Sequence, residues 1–253
     1  MKYVKMRDRM NKVSVIMTTF NSEDHLQTTL ESVRKQDYPL IEIVICDGKS
    51  TDGTIDIIRE YEKMPEMNIV WKSEKDNGIY DAMNKGYAMS SGDIIVFFND
   101  IFSRKDAVRM CVEAIEREKS DGVHADLVYM DNAKIVRYWK MGYGNIKQGW
   151  MPGHPTLFLK RDVYEKYGLY KTDYRVSADY EFMIRILKDG KIKLAYLDET
   201  IVEMYYGGAS TGGFAGYITS LKEGHRALKE NQVKNAALID IKRTLRVLKQ
   251  FRR

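Results

Sequence analysis

Polar side chains that could hold a phosphorylated, hydroxyl-rich ligand recur at the ends of short apolar runs. They are Thr18, Thr19, Phe20 and Asn21, then Asp47 with Ser50, then Asp76, then Asn99 with Asp100. Carboxylates accept hydrogen bonds from hydroxyl groups, and hydroxyl and amide side chains both donate and accept. Asp100 could also bind a divalent cation, because Mg²⁺ is often held by one or two carboxylates together with substrate phosphates. Each group alone is explained by a helix cap or a turn, but their recurrence at every strand end favours a binding site.

The elements that position these groups alternate in type through the first hundred residues. Apolar runs typical of buried strands lie at 13–20, 41–48, 68–73 and 93–98. Helical spacing of apolar residues follows each of the first three runs. This alternation predicts an α/β protein with right-handed β-α-β units and a mainly parallel, Rossmann-like central sheet flanked by helices. Ligands of such sheets bind beyond the carboxyl ends of the strands, which is where the polar groups lie.

Length, composition and motifs narrow the class of protein. The chain has 253 residues, of which 44% are hydrophobic and 30% charged, as in a soluble globular protein with one compact domain and at most an appendage. No apolar run approaches the roughly 18 residues that cross a bilayer, and the first residues lack the apolar centre of a secretory signal. Two distant cysteines, Cys46 and Cys111, do not predict a disulfide framework and fit a reducing cytoplasm. Glycine-rich dinucleotide and P-loop motifs are absent from the sequence, which disfavours those nucleotide folds.

The end of the chain is basic and amphipathic. Leu238, Ile241, Leu245 and Leu248 recur at spacings of three and four, which predicts one apolar stripe on a helix. The segment 242–253 contains six Lys or Arg and no acid. Such a helix either lies on an anionic membrane surface or an acidic partner, or it packs on its own domain with the basic face in water. The net charge of the whole chain is a mild +5, and no nucleic-acid partner is expected.

Two longer stretches have a recognisable order of motifs. The first reads SVIMTTFNSEDHLQTTLESVRKQDYPLIEIVICDGKSTDGT, and the second reads SEKDNGIYDAMNKGYAMSSGDIIVF. The first resembles the opening of the family 2 glycosyltransferases, which have the GT-A fold. The second is similar to the subgroup that builds bacterial capsular and exopolysaccharides. The resemblance implies an inverting transfer of a sugar from a nucleotide-sugar, usually a UDP-sugar, to an acceptor hydroxyl.

The resemblance also implies roles for individual residues on the donor side. Nucleotide binding falls to Thr18, Thr19, Phe20, Asn21, Asp47, Ser50, Asp76, Asn84, Lys85 and Asn99. Asp47 matches the acid that binds the base, and Asp76 matches an acid near the base and ribose. On the helix predicted over 79–89, however, Asp81 and Lys85 are four residues apart and could instead pair with each other.

The end of the fourth strand departs from the family pattern. The subgroup commonly has a D-x-D-type motif there, as in LNSDD, whereas this chain reads FFND followed at once by IF. Asp100 is therefore the carboxylate expected to reach a divalent cation, Mg²⁺ or Mn²⁺. With one protein ligand, the cation would be weakly held and would depend on the nucleotide's phosphates.

The second half of the chain is expected to receive the acceptor. LVYMD and AKIVRYWK, on either side of residues 131–132, predict a hairpin. In SADYEF, the resemblance assigns the catalytic base to Asp179, which would take the proton of the attacking hydroxyl. The other interpretation of Asp179 is an N-cap of the helix 180–187. Glu181 is the nearest rival for the base, and acceptor binding is expected from His154, Glu181 and Trp150.

Together these expectations describe one enzyme. Residues 1–10 form an N-terminal extension, 11–215 a GT-A catalytic domain divided at 122/123 into nucleotide-sugar and acceptor halves, and 216–253 a C-terminal helical extension. The expected acceptor is a lipid-diphosphate-linked saccharide in surface polysaccharide synthesis, at the inner face of the cell membrane. The rival function is a non-catalytic nucleotide-sugar-binding protein with a degenerate metal motif. The sugar, the acceptor linkage and a possible homodimer are left open.

Overall fold

The computed structural model describes residues 10–131, 134–205 and 214–250. The first half consists of β1 (Val13–Thr19), α1 (Glu23–Arg34), β2 (Ile41–Asp47), α2 (Thr54–Glu62), β3 (Ile69–Ser73), α3 (Ile79–Met89), β4 (Ile94–Phe97), β5 (Ile101–Phe102) and α4 (Ala107–Glu118). The second half consists of β6 (Gly122–Asp131), β7 (Lys134–Trp139), β8 (Phe158–Lys160), α5 (Arg161–Tyr167), α6 (Ala178–Leu187) and β9 (Leu194–Tyr205). Helices α7 (Phe214–Glu230) and α8 (Ala236–Lys249) follow. The predicted alternation of strands and helices in the first half is therefore correct.

The strands join in one mixed sheet, in the order β3-β2-β1-β4-β8-β6-β9-β5, with β7 beside β6. β1 is parallel to β2 and β4, and β2 is parallel to β3. β8 runs antiparallel to both of its neighbours, and β7 is antiparallel to β6, as the predicted hairpin requires. The mainly parallel prediction thus holds for the first half, and the complete sheet is mixed. Parallel pairing needs a long crossover connection, whereas β7 follows β6 after a turn that is too short for one.

Two apolar cores cover the two faces of the sheet. Val15 and Ile16 are consecutive on β1 and nearly inaccessible to solvent, yet they belong to opposite cores. This alternation follows from the two-residue period of a strand that is covered on both faces. The second core extends into the C-terminal helices through Leu228 of α7 and Ile239 of α8. Helices α7 and α8 therefore pack on the same side of the sheet as α3 and α6.

The predicted apolar stripe on the last helix faces solvent. Leu238, Ile241 and Leu245 are 49%, 57% and 53% exposed, whereas α8 packs inward through Ala236 and Ile239. The helix therefore has two apolar faces, and the spacing of residues predicted only the outer one. The side chain of Leu248 and residues 1–9 of the predicted extension lie outside the described residues. Among the helices within 10–131, 134–205 and 214–250, none combines the length and the apolar character needed to cross a membrane.

Candidate active site

The parallel strands of the first half bring their polar ends to one edge of the sheet. The register places Thr19 of β1 opposite Asp47 of β2, and Asp47 opposite Ser73 of β3. Because parallel strands end in the same direction, these three side chains form a row along the rim. This row is the floor of the candidate site.

Asp47 organises that row through four hydrogen bonds. Its Oδ1 accepts from Thr19 Oγ1 (3.0 Å) and Ser50 Oγ (2.5 Å), and its Oδ2 accepts from the Ser50 backbone N–H (3.0 Å) and Ser73 Oγ (2.6 Å). Burial alone would raise the pKa of Asp47, but the bonds from Ser50, Ser73 and Thr19 outweigh it and lower the pKa. An ionised carboxylate has about four acceptor positions, and here all four are used. Asp47 therefore joins the ends of three strands, which differs from the direct base contact implied by the resemblance.

A niche suited to a flat ring lies beside this row. Phe20 is 65% exposed, and the backbone of Gly48 lies between its ring and the carboxylate of Asp76. A Cβ added at Gly48 would be 2.6 Å from Asp76 Oδ2 and 3.4 Å from Phe20 Cδ2. Asp76 Oδ1 accepts from the N–H of Gly78 at 2.9 Å, which fixes the carboxylate's orientation. The niche thus combines an exposed aromatic face with a fixed carboxylate, and these can stack on and hydrogen-bond to a nucleobase.

Two amide side chains hold the loops around this niche. Asn21 has a φ of 47°, a left-handed conformation that asparagine tolerates, and its Oδ1 accepts from the N–H of Thr51 at 2.9 Å. Asn99 binds Thr18 twice, since its Oδ1 accepts from the Thr18 N–H and its Nδ2 donates to Thr18 Oγ1, both at 3.0 Å. Asn21 thereby ties β1 to the loop after β2, and Asn99 ties it to the end of β4. Asn21, Asn99 and Thr18 all lie at the rim, as predicted.

Asn84 and Lys85 both have partners within the protein, although Lys85 also lines a small pocket together with Asp47 and Asp76. Asn84 Nδ2 donates to the Tyr170 carbonyl (2.8 Å) and its Oδ1 accepts from the Tyr170 N–H (3.1 Å). Lys85 Nζ lies 3.1 Å from Asp81 and 3.3 Å from Glu74. The alternative Asp81–Lys85 pair is therefore confirmed. Asn84 acts between the two halves of the domain, because it clamps the backbone of the acceptor half to α3.

Asp100 is a buried carboxylate at the end of β4. It is 9% exposed, and burial raises its pKa to about 7, although the backbone N–H of Tyr205 donates to it. In the part of the chain that the structure describes, no group of three acidic, histidine or cysteine side chains could hold a metal ion. A single hard oxygen ligand fits Mg²⁺ or Mn²⁺ only where phosphate oxygens and water complete the coordination. A cation there would also favour the charged form of this buried acid.

Asp179 lies in the first turn of α6, on the wall facing the donor half. The helix begins at Ala178 with Ser177 as its N-cap, so the interpretation of Asp179 as the N-cap is wrong. The hydroxyl of Tyr80, from α3, donates to Asp179 Oδ1 at 3.0 Å. His154 reaches the same region through Tyr170, whose hydroxyl lies 2.8 Å from His154 Nε2 and whose ring centroid lies 5.8 Å from that of Tyr80. Asp179 therefore lies between α3 and the short helical turn that carries His154.

Tyr129 of β6 connects the two acids of the candidate site. Its side chain is nearly buried, and burial raises the pKa of the phenol. Arg137 opposes this shift, and the negative charges of Asp100 and Asp179 add to it. An effect of both carboxylates on one buried phenol requires both to lie near it. Asp100 and Asp179 thus both lie in the region around Tyr129, which forms the candidate cleft.

Glu181 does not face that cleft. It is completely buried, and its carboxylate contacts Arg185 (2.8 Å), Lys171 (3.3 Å) and Asn231 (3.0 Å). Burial would raise the pKa of Glu181, but the hydrogen bonds from Arg185 and Asn231 lower it. The predicted acceptor contact of Glu181 is therefore wrong, because its oxygens are occupied inside the domain.

Trp150 and His154 also have partners within the protein. Trp150 is 7% exposed and its Nε1 donates to the Met141 carbonyl at 3.0 Å, so it is a core residue and the predicted acceptor contact is wrong. His154 Nε2 lies 2.8 Å from the hydroxyl of Tyr170, and its ring stacks 5.9 Å from that of Phe97. Of the three predicted acceptor residues, His154 is thus the one beside Asp179.

Several residues of the cleft were missed by sequence reasoning. Residue type and spacing do not identify Ser73, Tyr80, Tyr129 or Tyr170 as cleft residues. Tyr80 meets its partner 99 positions away along the chain, and no local spacing reveals such a contact. The one available signal was its place, two residues after Gly78 at the start of a helix that follows a predicted binding loop.

Comparisons with known proteins bear on this arrangement. The model of glycosyl transferase family 2 matches residues 14–176, more than half of the chain. A dolichyl N-acetyl-α-D-glucosaminyl phosphate 3-β-D-2,3-diacetamido-2,3-dideoxy-β-D-glucuronosyltransferase from Methanococcus voltae is 30% identical over 227 residues, which cover 81% of this chain and 70% of the relative. A PGL/p-HBAD biosynthesis glycosyltransferase from Mycobacterium bovis is 28% identical over 203 residues, or 78% of each chain.

Solved structures show the same fold. S. aureus TarS 1-349 in complex with UDP-GlcNAc superposes with a TM-score of 0.72 at 17% identity, covering 93% of this chain and 72% of that one. This chain spans 43% of the longer S. aureus TarS structure. The mannosyltransferase PcManGT from Pyrobaculum calidifontis, in complex with GDP-Man and Mn²⁺, gives a TM-score of 0.69 at 17% identity and covers 93% of this chain and 70% of that one. These likenesses confirm the predicted GT-A fold.

Proposed function

The chain belongs to glycosyltransferase family 2 and is a glycosyltransferase that acts on a nucleotide-sugar, and on this premise we propose that it is an inverting enzyme with a UDP-sugar donor. Its acceptor is a hydroxyl of a lipid-diphosphate-linked saccharide, in the synthesis of a surface polysaccharide. The observation that carries the proposal is the 3.0 Å hydrogen bond from Tyr80, which follows the nucleotide-niche loop on α3, to Asp179 of α6, because it brings the acceptor-side acid against the nucleotide side of the domain. A donor-side acid and an acceptor-side acid across one cleft are what a single displacement requires.

The niche of Phe20, Gly48 and Asp76 supports a nucleotide-linked donor. Phe20 stacks on the base, Gly48 lets the base approach the backbone, and Asp76 accepts hydrogen bonds from base or ribose groups. TarS was solved with UDP-GlcNAc, which favours UDP, whereas PcManGT was solved with GDP-Man. The saturated Asp47 keeps the strand ends in place below the nucleotide.

Asp179 supplies the base. The acceptor oxygen forms a bond to the anomeric carbon while the bond from that carbon to the diphosphate oxygen breaks, and the acceptor's proton passes to Asp179. A positioned carboxylate contributes about 10²–10⁴-fold to such a step. Asp100 would hold a divalent cation together with the donor's phosphates, and that cation would supply positive charge to the leaving diphosphate. The Mn²⁺ in the PcManGT structure supports this cofactor.

Two substitutions test the reaction against the non-catalytic alternative. Asp179→Asn should lower kcat by about 10²–10⁴-fold, and Asp100→Ala should remove the stimulation by Mn²⁺. Asp56→Asn is the matched control, because Asp56 lies on α2 and its side chain is 85% exposed. A panel of UDP-, GDP- and dTDP-sugars, screened first by thermal stabilisation, supplies the donor for the assay. Donor binding without turnover in the wild type, or turnover unchanged by both substitutions, would contradict the proposal.

The outer face of α8 supports a position at the inner surface of the cell membrane. Leu238, Ile241 and Leu245 are exposed, and the last two line a groove of about 350 Å³ with Leu221 of α7. Lys242 lies beside this stripe on the same helix, within the basic segment 242–253. Apolar side chains that enter the lipid boundary, together with cations that meet anionic headgroups, are the two components of interfacial binding. The Methanococcus voltae relative is named for a dolichyl-linked acceptor, which supports a lipid-linked one here.

Flotation with liposomes tests the membrane surface. Full-length protein should float with vesicles containing anionic lipid and less with neutral ones, and the combined Leu238→Ser, Ile241→Ser and Leu245→Ser variant should not float. Substitution is preferable to deletion of the helix, because Ile239 of α8 belongs to the second core. Val70→Ser is the control, since Val70 is 42% exposed on β3. If the triple variant floats normally, the stripe does not bind membrane. If the substitutions change only a dimer–monomer equilibrium, a second copy of the chain covers the stripe.

A further inference from the structure

Tyr80 links the donor half of the domain to the carboxylate of Asp179. It is the second residue of α3, its side chain is 6% exposed, and its hydroxyl donates to Asp179 Oδ1 at 3.0 Å. Burial and the negative charge of Asp179 both raise the pKa of the phenol. The hydroxyl therefore keeps its proton at every physiological pH and acts as a permanent donor to the carboxylate.

We propose that Tyr80 is a positioning residue for the glycosyl transfer, which rests on the proposed role of Asp179 as the base. The hydrogen bond to Oδ1 fixes the plane of the Asp179 carboxylate, so that Oδ2 is the oxygen presented to the acceptor hydroxyl. A base must lie within hydrogen-bond reach of the proton that it removes, and a small misplacement costs a large factor in rate. Without this bond, the carboxylate can rotate about its last torsion, which is broad and has no strong preference.

The position of Tyr80 is set by the loop that forms the nucleotide niche. Gly78 precedes α3 with a φ of 108°, a conformation that favours glycine. The N–H of Gly78 donates to Asp76 Oδ1, and Tyr80 follows two residues later. The ring of Tyr80 also packs against that of Tyr170 with centroids 5.8 Å apart. The same short segment thus contains Asp76 of the nucleotide niche at one end and Tyr80, the partner of Asp179, at the other.

Tyr80→Phe removes the hydroxyl and keeps the packed ring. Hydrogen bonds to a charged group are worth enough to predict a fall in kcat of about 10–100-fold. The dissociation constant of UDP, measured by calorimetry, should stay within about twofold, because the niche itself is unchanged. Tyr61→Phe is the matched control, since the hydroxyl of Tyr61 donates to the carboxylate of Glu31 at 2.9 Å, in the other core. The control should leave kcat unchanged.

A double-mutant cycle separates positioning from a general structural effect. In an Asp179→Asn background, Tyr80→Phe should change the residual rate by less than about twofold, because residues that act through one another are not additive. An equal loss of rate in both backgrounds, or a wild-type kcat in Tyr80→Phe, would overturn the positioning role. If Asp179→Asn itself keeps full turnover, the proposed base is wrong, and this outcome is distinct from a failure of Tyr80 alone.

Discussion

Glu181 and Asp179 lie two residues apart on α6, and isosteric substitutions should separate their duties. Glu181→Gln removes a negative charge from the interior, where the carboxylate contacts Arg185 and Lys171 at 2.8 and 3.3 Å. Asp179→Asn removes a charge from the wall of the cleft. The structure predicts that the first substitution changes stability and the second changes turnover.

The size of the stability change follows from the partners that remain. Removing one member of a buried ion pair costs about 3–5 kcal/mol. Arg185 still donates to the carbonyls of Tyr167 and Leu169, and Lys171 still contacts Glu230 at 2.9 Å. The lower limit, about 3 kcal/mol, is therefore expected. At 2–4 °C for each kcal/mol in a domain of this size, Tm should fall by about 6–12 °C.

The pH dependence gives this prediction a second readout. The folded protein holds the pKa of Glu181 below its ordinary value of 4.5, so the stabilisation is fully present above that pH. It is lost as the pH falls through the lowered pKa, because the unfolded chain binds a proton first. The difference in free energy of unfolding between wild type and Glu181→Gln should therefore shrink under acid conditions.

Thermal melts and a transfer assay well below Tm measure the two effects. Glu181→Gln should keep the acceptor KM within about twofold of wild type, since only contacts in the binding site change it. Asp179→Asn should melt close to wild type and lose turnover. If Glu181→Gln instead melts with the wild type and raises the acceptor KM, Glu181 is an acceptor ligand after all.

Three further predictions concern single residues. Phe20→Ala should weaken UDP binding by about 5–150-fold in calorimetry, because base–aromatic stacking is worth about 1–3 kcal/mol, whereas Phe20→Tyr should bind UDP normally. If Phe20→Ala binds UDP as tightly as the wild type, Phe20 does not stack on the base. Asp100→Asn should abolish the gain in UDP affinity on adding Mn²⁺, and a retained gain would place the cation elsewhere. Burial lowers the pKa of His124 to about 4 from 6.5, so this residue should make the wild type lose about 2 kcal/mol of unfolding free energy between pH 7.5 and 5. In urea titrations, His124→Phe should lose correspondingly less unfolding free energy over the same pH range. The same loss in both proteins would contradict this prediction.

The parts of the fold predicted from sequence are those that depend on local patterns. Continuous apolar runs identified β1, β2 and β4, because strands buried on both faces need apolar side chains at every position. The rim followed from topology, since parallel strands end at one edge. The contacts that decide roles within the rim are long-range. The four hydrogen bonds of Asp47 and the clamp of Asn84 on Tyr170 depend on how loops meet in space, and residue type alone does not distinguish an acid that binds a ligand from one that binds its neighbours.

The apolar stripe on α8 shows the same limit for a helix. Spacing of three and four residues correctly predicted an apolar face with Leu238 and Ile241, but periodicity does not specify what covers such a face. The structure shows that α8 packs inward through Ile239, on a different side. Packing on the domain and an exposed apolar stripe are therefore compatible, although the sequence had presented them as alternatives.

The shortened motif after β4 has a structural explanation. Ile101 and Phe102, which follow Asp100, form β5 and pair with β9 at Glu203 and Val202. Phe102 is 5% exposed and stacks on Phe98 with ring centroids 3.9 Å apart. Phe102, at one of the positions where a second acid could stand, thus belongs to the core, and the strand pairing brings the Tyr205 N–H onto Asp100. The same packing that removes a second ligand also buries the first, so the proposed cation would depend on the donor's phosphates for its remaining ligands.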